Sequence, residues 1–288
     1  MTASSKLSQT SSIAIMLIAM SLIPLGDAGG KLLTQNNVDS FFVAWSRFFI
    51  GGICLLPFMR LRLVELPSIF NWRVLLRGVF ITGSISCILL ALSTEPIANV
   101  FATLFLAPIA AYFLAALLLK EKITATRIIL LLIGFCGVLM VVKPNLNMSQ
   151  GMIYALLTSC FYSGYLVSNR WLVGHYRPRF LLISQLFIGS LLLAPIGLSK
   201  IPSSFDTHIT QLVLLSALGS AVGNLLFIEA SRRIPTNVAA PLIYSQLLFA
   251  TLYGITIFGT WPDTLSQIGL AVIIFSGFAS WFIAGKEQ

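Results

Sequence analysis

Charge is what this sequence has least of. Only 9% of its 288 residues are Asp, Glu, Lys or Arg, against about 25% in a soluble globular domain. Eighteen basic and nine acidic side chains are too few to cover a soluble fold of this length. A soluble globular protein and a disordered tail are therefore excluded. The net charge of +9 does not indicate a nucleic-acid partner, because the basic residues are scattered between apolar segments and form no single face. Histidine is almost missing: His175 and His208 both sit in polar connections, so no histidine-based metal site is available. The four cysteines, Cys54, Cys87, Cys136 and Cys160, each lie within an apolar run, with no CxxC or other ligand spacing. That excludes a disulfide-stapled module and leaves them as small core or lipid-facing residues. A Walker pattern, an HExxH pair and a metal–diphosphate Asp cluster are also absent, so ATP hydrolysis, zinc proteolysis and prenyl transfer lack their residues. No cofactor is expected.

What the chain does have is apolar length: 57% of it is hydrophobic and its mean hydropathy is +0.94. A hydrocarbon core about 30 Å thick needs roughly 20 apolar residues per helix. That measure gives ten segments, at about 12–33, 40–59, 74–94, 98–119, 127–142, 151–171, 180–198, 211–230, 236–258 and 265–284. The first runs past signal-peptide length after a weakly basic start with Lys6 alone, so it reads as a retained helix. With the N-terminus inside, the inner segments hold 14 of the 18 basic residues, including Arg60, Arg62, Arg73, Arg77, Arg177 and Arg179. The outer ones hold Lys31, Lys143 and Lys200, and Arg47 lies within a span. This bias predicts both termini in the cytoplasm of a bacterial-type inner membrane.

The halves match weakly at a nearly constant offset. At 138, Ser46-Arg47 falls on Ser184-Gln185, Gly51 on Gly189, Pro57 on Pro195 and Asn99-Val100 on Asn237-Val238. At 139, Lys31 falls on Arg170, Ala91 on Ala230 and Pro96 on Pro235; at 140, Gly137 falls on Gly277. A unit of five spans is odd, so its second copy enters the membrane inverted, a device by which transporters expose one central site to each side in turn. The expected repeats are 12–146 and 147–285 within a single membrane domain, 1–288.

Certain stretches also carry a resemblance. They are Gly26-Asp27-Ala28-Gly29-Gly30-Lys31, Trp45-Ser46-Arg47-Phe48 and Ala107-Pro108, then Leu118-Leu119-Lys120-Glu121-Lys122-Ile123-Thr124 and the glycine-bearing helix ending near Gly137. In these the chain resembles the drug/metabolite transporter superfamily in its ten-helix EamA-like branch, over essentially its whole length. The second half departs from the pattern, with Gln246 near the proline position and Thr260 near the glutamate position. The resemblance implies secondary transport, with export of a metabolite or drug favoured. Import of a vitamin-, nucleoside- or amino-acid-like metabolite is the alternative.

Polar groups inside an apolar span are unfavourable by a few kcal/mol each, roughly, and face a cavity or a partner. Asp27 and Arg47 sit at similar depth on adjacent spans, so they are expected to pair, with either a structural role or a role in substrate contact or coupling to a proton or another ion. Lys31 is one turn from Asp27 on the same face. Tyr154, Thr158, Tyr162, Tyr165 and Asn169 recur at helical spacing on the sixth span, and Tyr162 is too deep to be an interface anchor. Shorter stripes add Ser216, Ser220 and Asn224, then Thr82 and Ser86, Asn99 and Thr103, and Tyr244 and Gln246. Small and hydroxyl residues also serve ordinary helix packing. Glu95 and Glu229 lie at span ends and Glu121 in a connection, so all three read as interface charges.

The sum is an all-α integral membrane protein of ten transmembrane helices, two inverted five-helix repeats around a central cavity. Its expected partners are the lipid bilayer and a small-molecule substrate, with no nucleic acid. The candidate substrate-binding set is Asp27, Lys31, Arg47, Asn99, Thr103, Tyr154, Thr158, Tyr162, Tyr165, Asn169, Ser220, Asn224, Tyr244 and Gln246. An embedded enzyme and a passive channel are the competing classes. An apolar chain of this kind is expected to stay in the membrane pellet through a high-pH wash and to leave it only with detergent; monodisperse protein recovered from aqueous buffer alone would refute the membrane assignment.

Overall fold

The computed structural model describes residues 3–119, 125–143, 148–172, 174–203, 205–233 and 236–284. Glu121 and the charged part of the motif around it lie outside the described residues. Among the described residues there are eleven α-helices, one 3-10 helix and no strand. The helices are α1 (Ala3–Gln35), α2 (Ser40–Met59), α3 (Trp72–Leu92), α4 (Ile97–Leu104), α5 (Leu106–Leu119) and α6 (Ala125–Val142). They continue with α7 (Gln150–Leu172), α8 (Pro178–Ser199), α9 (Thr207–Ser231), α10 (Thr236–Phe258) and α11 (Thr264–Ala284). Six segments are long and apolar enough to cross a membrane, and three shorter apolar helices accompany them. Large apolar side chains such as Phe58, Leu117 and Phe275 stand exposed on the outer surface, as lipid contact requires.

Polar residues set where the helices begin. Asp39 accepts a hydrogen bond from the Phe41 N–H ahead of α2, Asn71 from that of Arg73 ahead of α3, and Asp206 from that of Ile209 ahead of α9. Each satisfies a backbone donor that a helix N-terminus leaves open.

Two features depart from the sequence expectation. The span expected at 98–119 is broken into α4 and α5 at Phe105. Pro108 lies four residues after Leu104; it offers no N–H and its ring collides with that carbonyl, so the helix resets one turn earlier. The connection after α2 is itself a 3-10 helix, Leu63–Phe70, lying between two spans with Val64 and Phe70 exposed.

Helix pairing follows a pattern. The most extensive contacts join α1 to α9, α3 to α7, α6 to α11 and α2 to α8. A second set joins α1 to α10, α7 to α4 and α5, α2 to α9, and α3 to α8. Missing side chains make these approaches possible. A Cβ on Gly26 would stand 2.7 Å from the Ser220 backbone nitrogen, and one on Gly219 3.1 Å from the Gly26 Cα, so α1 and α9 touch backbone to backbone. Gly137 and Gly269 do the same for α6 and α11, where each Cβ would meet the other's carbonyl oxygen at 2.8 and 2.6 Å. Between α3 and α7 the fit is reciprocal: the Phe161 ring lies over Gly83 and the Phe80 ring over Gly164. Without a hydrophobic drive between helices in lipid, such close dispersion contact is what holds them together.

Gly26→Ala is expected to lower the stability of detergent-purified protein by about 1–3 kcal/mol, because a backbone neighbour cannot move aside. Gly52→Ala, whose Cβ meets only Leu186 Cβ at 3.7 Å, is expected to be neutral or stabilising. Thermal unfolding of the two variants side by side checks this.

Candidate functional site

A cavity of about 630 Å³ lies between α1, α2, α3, α4, α5, α7, α8, α9 and α10. This is within the range of about 300–1,000 Å³ for small-molecule sites. Its walls are mostly apolar, from Met20 and Ile23 on α1 to Phe227 and Ile243 on α9 and α10. It reaches the surface at the α7–α8 connection, where the exposed Arg170 and Pro178 line it. Among the described residues none of its lining comes from the connections at the other end of the bundle, which follow α1, α3, α6, α8 and α10.

That other end is tied shut. Lys31 Nζ donates to the carbonyls of Leu92 at 2.7 Å and Glu95 at 2.5 Å, so a cation caps the C-terminus of α3, where the helix dipole favours positive charge. Ser149 donates to the Glu95 carboxylate. Lys143 pairs with Asp263 at 2.5 Å, tying α6 to α11. Hydrogen bonds from Lys143 and Ser266 hold the Asp263 carboxyl at about 2, down from 3.8. Its folded-state value is depressed, so the pair is fully formed above the ordinary carboxylate range and is lost only as the pH falls through about 2. At the open end Arg177 binds Glu65 of the 3-10 helix at 2.5 Å and holds that carboxyl below its usual range, chiefly through the hydrogen bond. Glu229, on α9, takes Arg179 at 2.6 Å.

Two polar groups occupy the cavity wall. In the first, Arg47 Nη1 donates to Asp27 Oδ1 at 2.5 Å, with side chains 3% and 4% exposed. The expected pair is present. The Arg47 Nε, equally buried, has no hydrogen-bond partner. Ser220 and Asn224 on α9 line the same cavity. In the second, Arg77 is 4% exposed and binds Asn169 Oδ1 at 2.5 Å, the Leu181 carbonyl at 2.8 Å and the Tyr165 hydroxyl at 2.9 Å. Tyr165 in turn donates to Gln185 Oε1 at 3.0 Å. Two stacked aromatic pairs stand on the wall, Tyr162 with Tyr165 at 5.5 Å and Phe105 with Tyr244 at 5.0 Å between centroids. The second pair forms at the α4–α5 break, which turns Phe105 and Pro108 onto the cavity.

Of the residues expected from sequence, Asp27, Arg47, Tyr162, Tyr165, Asn169, Ser220, Asn224, Tyr244 and Gln246 line this cavity. Lys31, Asn99, Thr103, Tyr154 and Thr158 do not. Lys31 is turned to the closed end, and Thr103 and Thr158 donate to the carbonyls of Asn99 and Tyr154 one turn back on their own helices. Tyr154 accepts from Gln150 near the start of α7. Four polar lining residues escaped the sequence analysis: Arg77, Ser84, Arg170 and Gln185. Gln185 is the repeat mate of Arg47, and that register was the signal for it. Arg77, counted among the inner-surface cations, is instead buried in the second turn of α3; its position inside an apolar span was the signal.

A model of the EamA-like transporter family matches residues 10–143 and again residues 149–282. An S-adenosylmethionine uptake transporter of Rickettsia bellii is 27% identical over 276 residues, 92% of each chain. Its counterpart in Rickettsia prowazekii is 25% identical over 268 residues, 91% of this chain and 89% of that one. A solved crystal structure at 17% identity superposes with a TM-score of 0.65, covering 97% of this chain and 99% of the other, which shows a shared fold.

Removing one member of a buried ion pair strands the other, at a cost of about 3–5 kcal/mol. Asp27→Asn and Arg47→Gln are each expected to lower the melting temperature more than the double variant does. A thermal double-mutant cycle in detergent checks this.

Proposed function

This chain belongs to the EamA-like transporter family, and we propose that it is a secondary carrier taking a small amphipathic metabolite with an amino-acid head into the cell by alternating access, with S-adenosylmethionine as the leading substrate. It is a multi-pass membrane transporter; the substrate, direction and cycle are the proposal. The observation that carries it is the cavity of about 630 Å³, walled by both halves of the chain, closed at one end and open at the other.

Ten spans are obtained when α4 and α5 count as one broken crossing. The inverted-repeat reading is supported by the helix pairing, because exchanging the halves turns α1–α9 into α7–α3, α1–α10 into α7 with α4 and α5, and α2–α9 into α8–α3, while α2–α8 and α6–α11 map onto themselves. The lining supports it too. At offsets of 138 and 139, Asp27 falls on Leu166, Arg47 on Gln185, Pro108 on Gln246, Ile81 on Ser220 and Ile85 on Asn224, and all ten line the cavity. The distribution of Lys and Arg supports an open end that faces the cytoplasm, even with Arg77 removed from the count.

S-Adenosylmethionine joins an adenine ring, a sulfonium cation and an amino-acid head. The aromatic pairs suit the ring and the cation, and the charged side chains on the wall, Asp27, Arg47 and Arg77, suit a molecule with an amino-acid head. Export, expected from the family resemblance, has no support among these relatives, which are named for uptake. If coupling is to protons, Asp27 is the carboxylate that lines the cavity and so the group to carry it.

Purified protein in liposomes is expected to take up labelled S-adenosylmethionine saturably, with unlabelled substrate competing. Flux linear in concentration would indicate a channel, and no flux of this compound or of related amino acids would refute the substrate class.

A further inference from the structure

Arg77 is a second charged centre in the cavity, and nothing so far accounts for its charge. A guanidinium buried in a helical bundle is unfavourable by several kcal/mol, roughly, unless an anion balances it. Among the described residues Arg77 makes no ion pair. Its partners, Asn169, Tyr165 and the Leu181 carbonyl, are all neutral. Among the described residues the one carboxylate on the cavity wall, Asp27, is engaged by Arg47 at 2.5 Å. The cavity wall therefore holds a fixed, unbalanced positive charge.

The side chain is also held in position. Three partners from α7 and α8 grip it, and its Cζ lies 4.7 Å from the Tyr165 ring centroid. Those bonds use three of the five N–H donors and leave one on each terminal nitrogen for an incoming acceptor. A preorganised fork of this kind loses little entropy on binding.

We propose that Arg77 is the anchor for the substrate's carboxylate, a monoanion matched to its single charge, which would set the amino-acid head toward the open end and the rest of the molecule deeper, against the aromatic pairs. The proposal rests on the carrier reading and sharpens it. Dianionic phosphates fit less well, since one guanidinium neutralises half their charge.

The test compares matched ligands that differ only in the carboxylate, by titration into the detergent-purified full chain. The wild type is expected to bind S-adenosylmethionine about 10- to 100-fold more tightly than its decarboxylated form, the range for a hydrogen-bonded charge. Arg77→Gln should bind both equally and weakly, and Arg77→Lys should restore part of the preference. Equal weakening of both ligands in Arg77→Gln, with the preference intact, would make Arg77 only a structural tie and overturn the proposal. So would a wild type that does not discriminate. If Arg77→Gln does not fold, Arg77→Lys alone must still reduce the preference. If neither compound binds the wild type, the substrate reading fails by itself. The same comparison then passes to methionine and tryptophan against their decarboxylated amines, where thermal stabilisation by an acid but not its amine sustains the anchor and its absence for both pairs refutes it.

Discussion

Hydrocarbon offers no partner to a polar group, and that constraint governs this molecule. In water a helix hides its apolar stripe. Here the apolar side chains have no reason to turn inward, and it is the polar minority that must find company. Asp27 finds Arg47, Arg77 finds Asn169, Tyr165 and the Leu181 carbonyl, and Lys31 finds the carbonyl end of α3. Serine and threonine hydroxyls throughout the bundle return to carbonyls one turn back, as Thr82 does to Gly78 and Ser86 to Thr82. With most of those needs met inside, the lipid-facing flank is left apolar and the polar groups gather in the cavity and at the two ends.

The same constraint explains the glycines. Helices with no hydrophobic drive to associate adhere by close dispersion contact, and that demands small residues at the crossings. Gly26 against Ser220 and Gly137 against Gly269 bring backbones within van der Waals range. Where a large ring is present instead, as with Phe48 over Gly189, its neighbour lacks a Cβ. Tight crossings on the flanks leave room between them, and the cavity occupies that room.

The two ends of the bundle differ in kind. One is crossed by Lys31, by Lys143 with Asp263 and by Ser149 with Glu95, each joining separate helices. At the other, Arg177 with Glu65 and Arg179 with Glu229 brace the rim while Arg170 and Pro178 stand at the mouth. For a carrier, the ties at the closed end are the contacts that must part when the cavity turns to the opposite side.

Much of this was legible without coordinates. Hydropathy alone located every long helix to within a few residues, apart from the start of α1, because a bilayer-length apolar run is a local property. The pairing of Asp27 with Arg47 was legible because two opposite charges at one depth have few other partners. The α4–α5 break was not read, although Pro108 marks it. Nor was the division of the α7 stripe, in which Tyr162, Tyr165 and Asn169 reach the cavity while Tyr154 and Thr158 lie beyond it. Arg77 passed for a surface charge because sequence places a residue along a helix but not around it, and a guanidinium near a span end can as easily reach water. Only the packing of α3 against both α7 and α8 turned it inward. Segment length and composition determined that the chain crosses a membrane; the rotation and crossing of helices, set by contacts between residues about 90 to 190 positions apart, decided which side chains share a cavity.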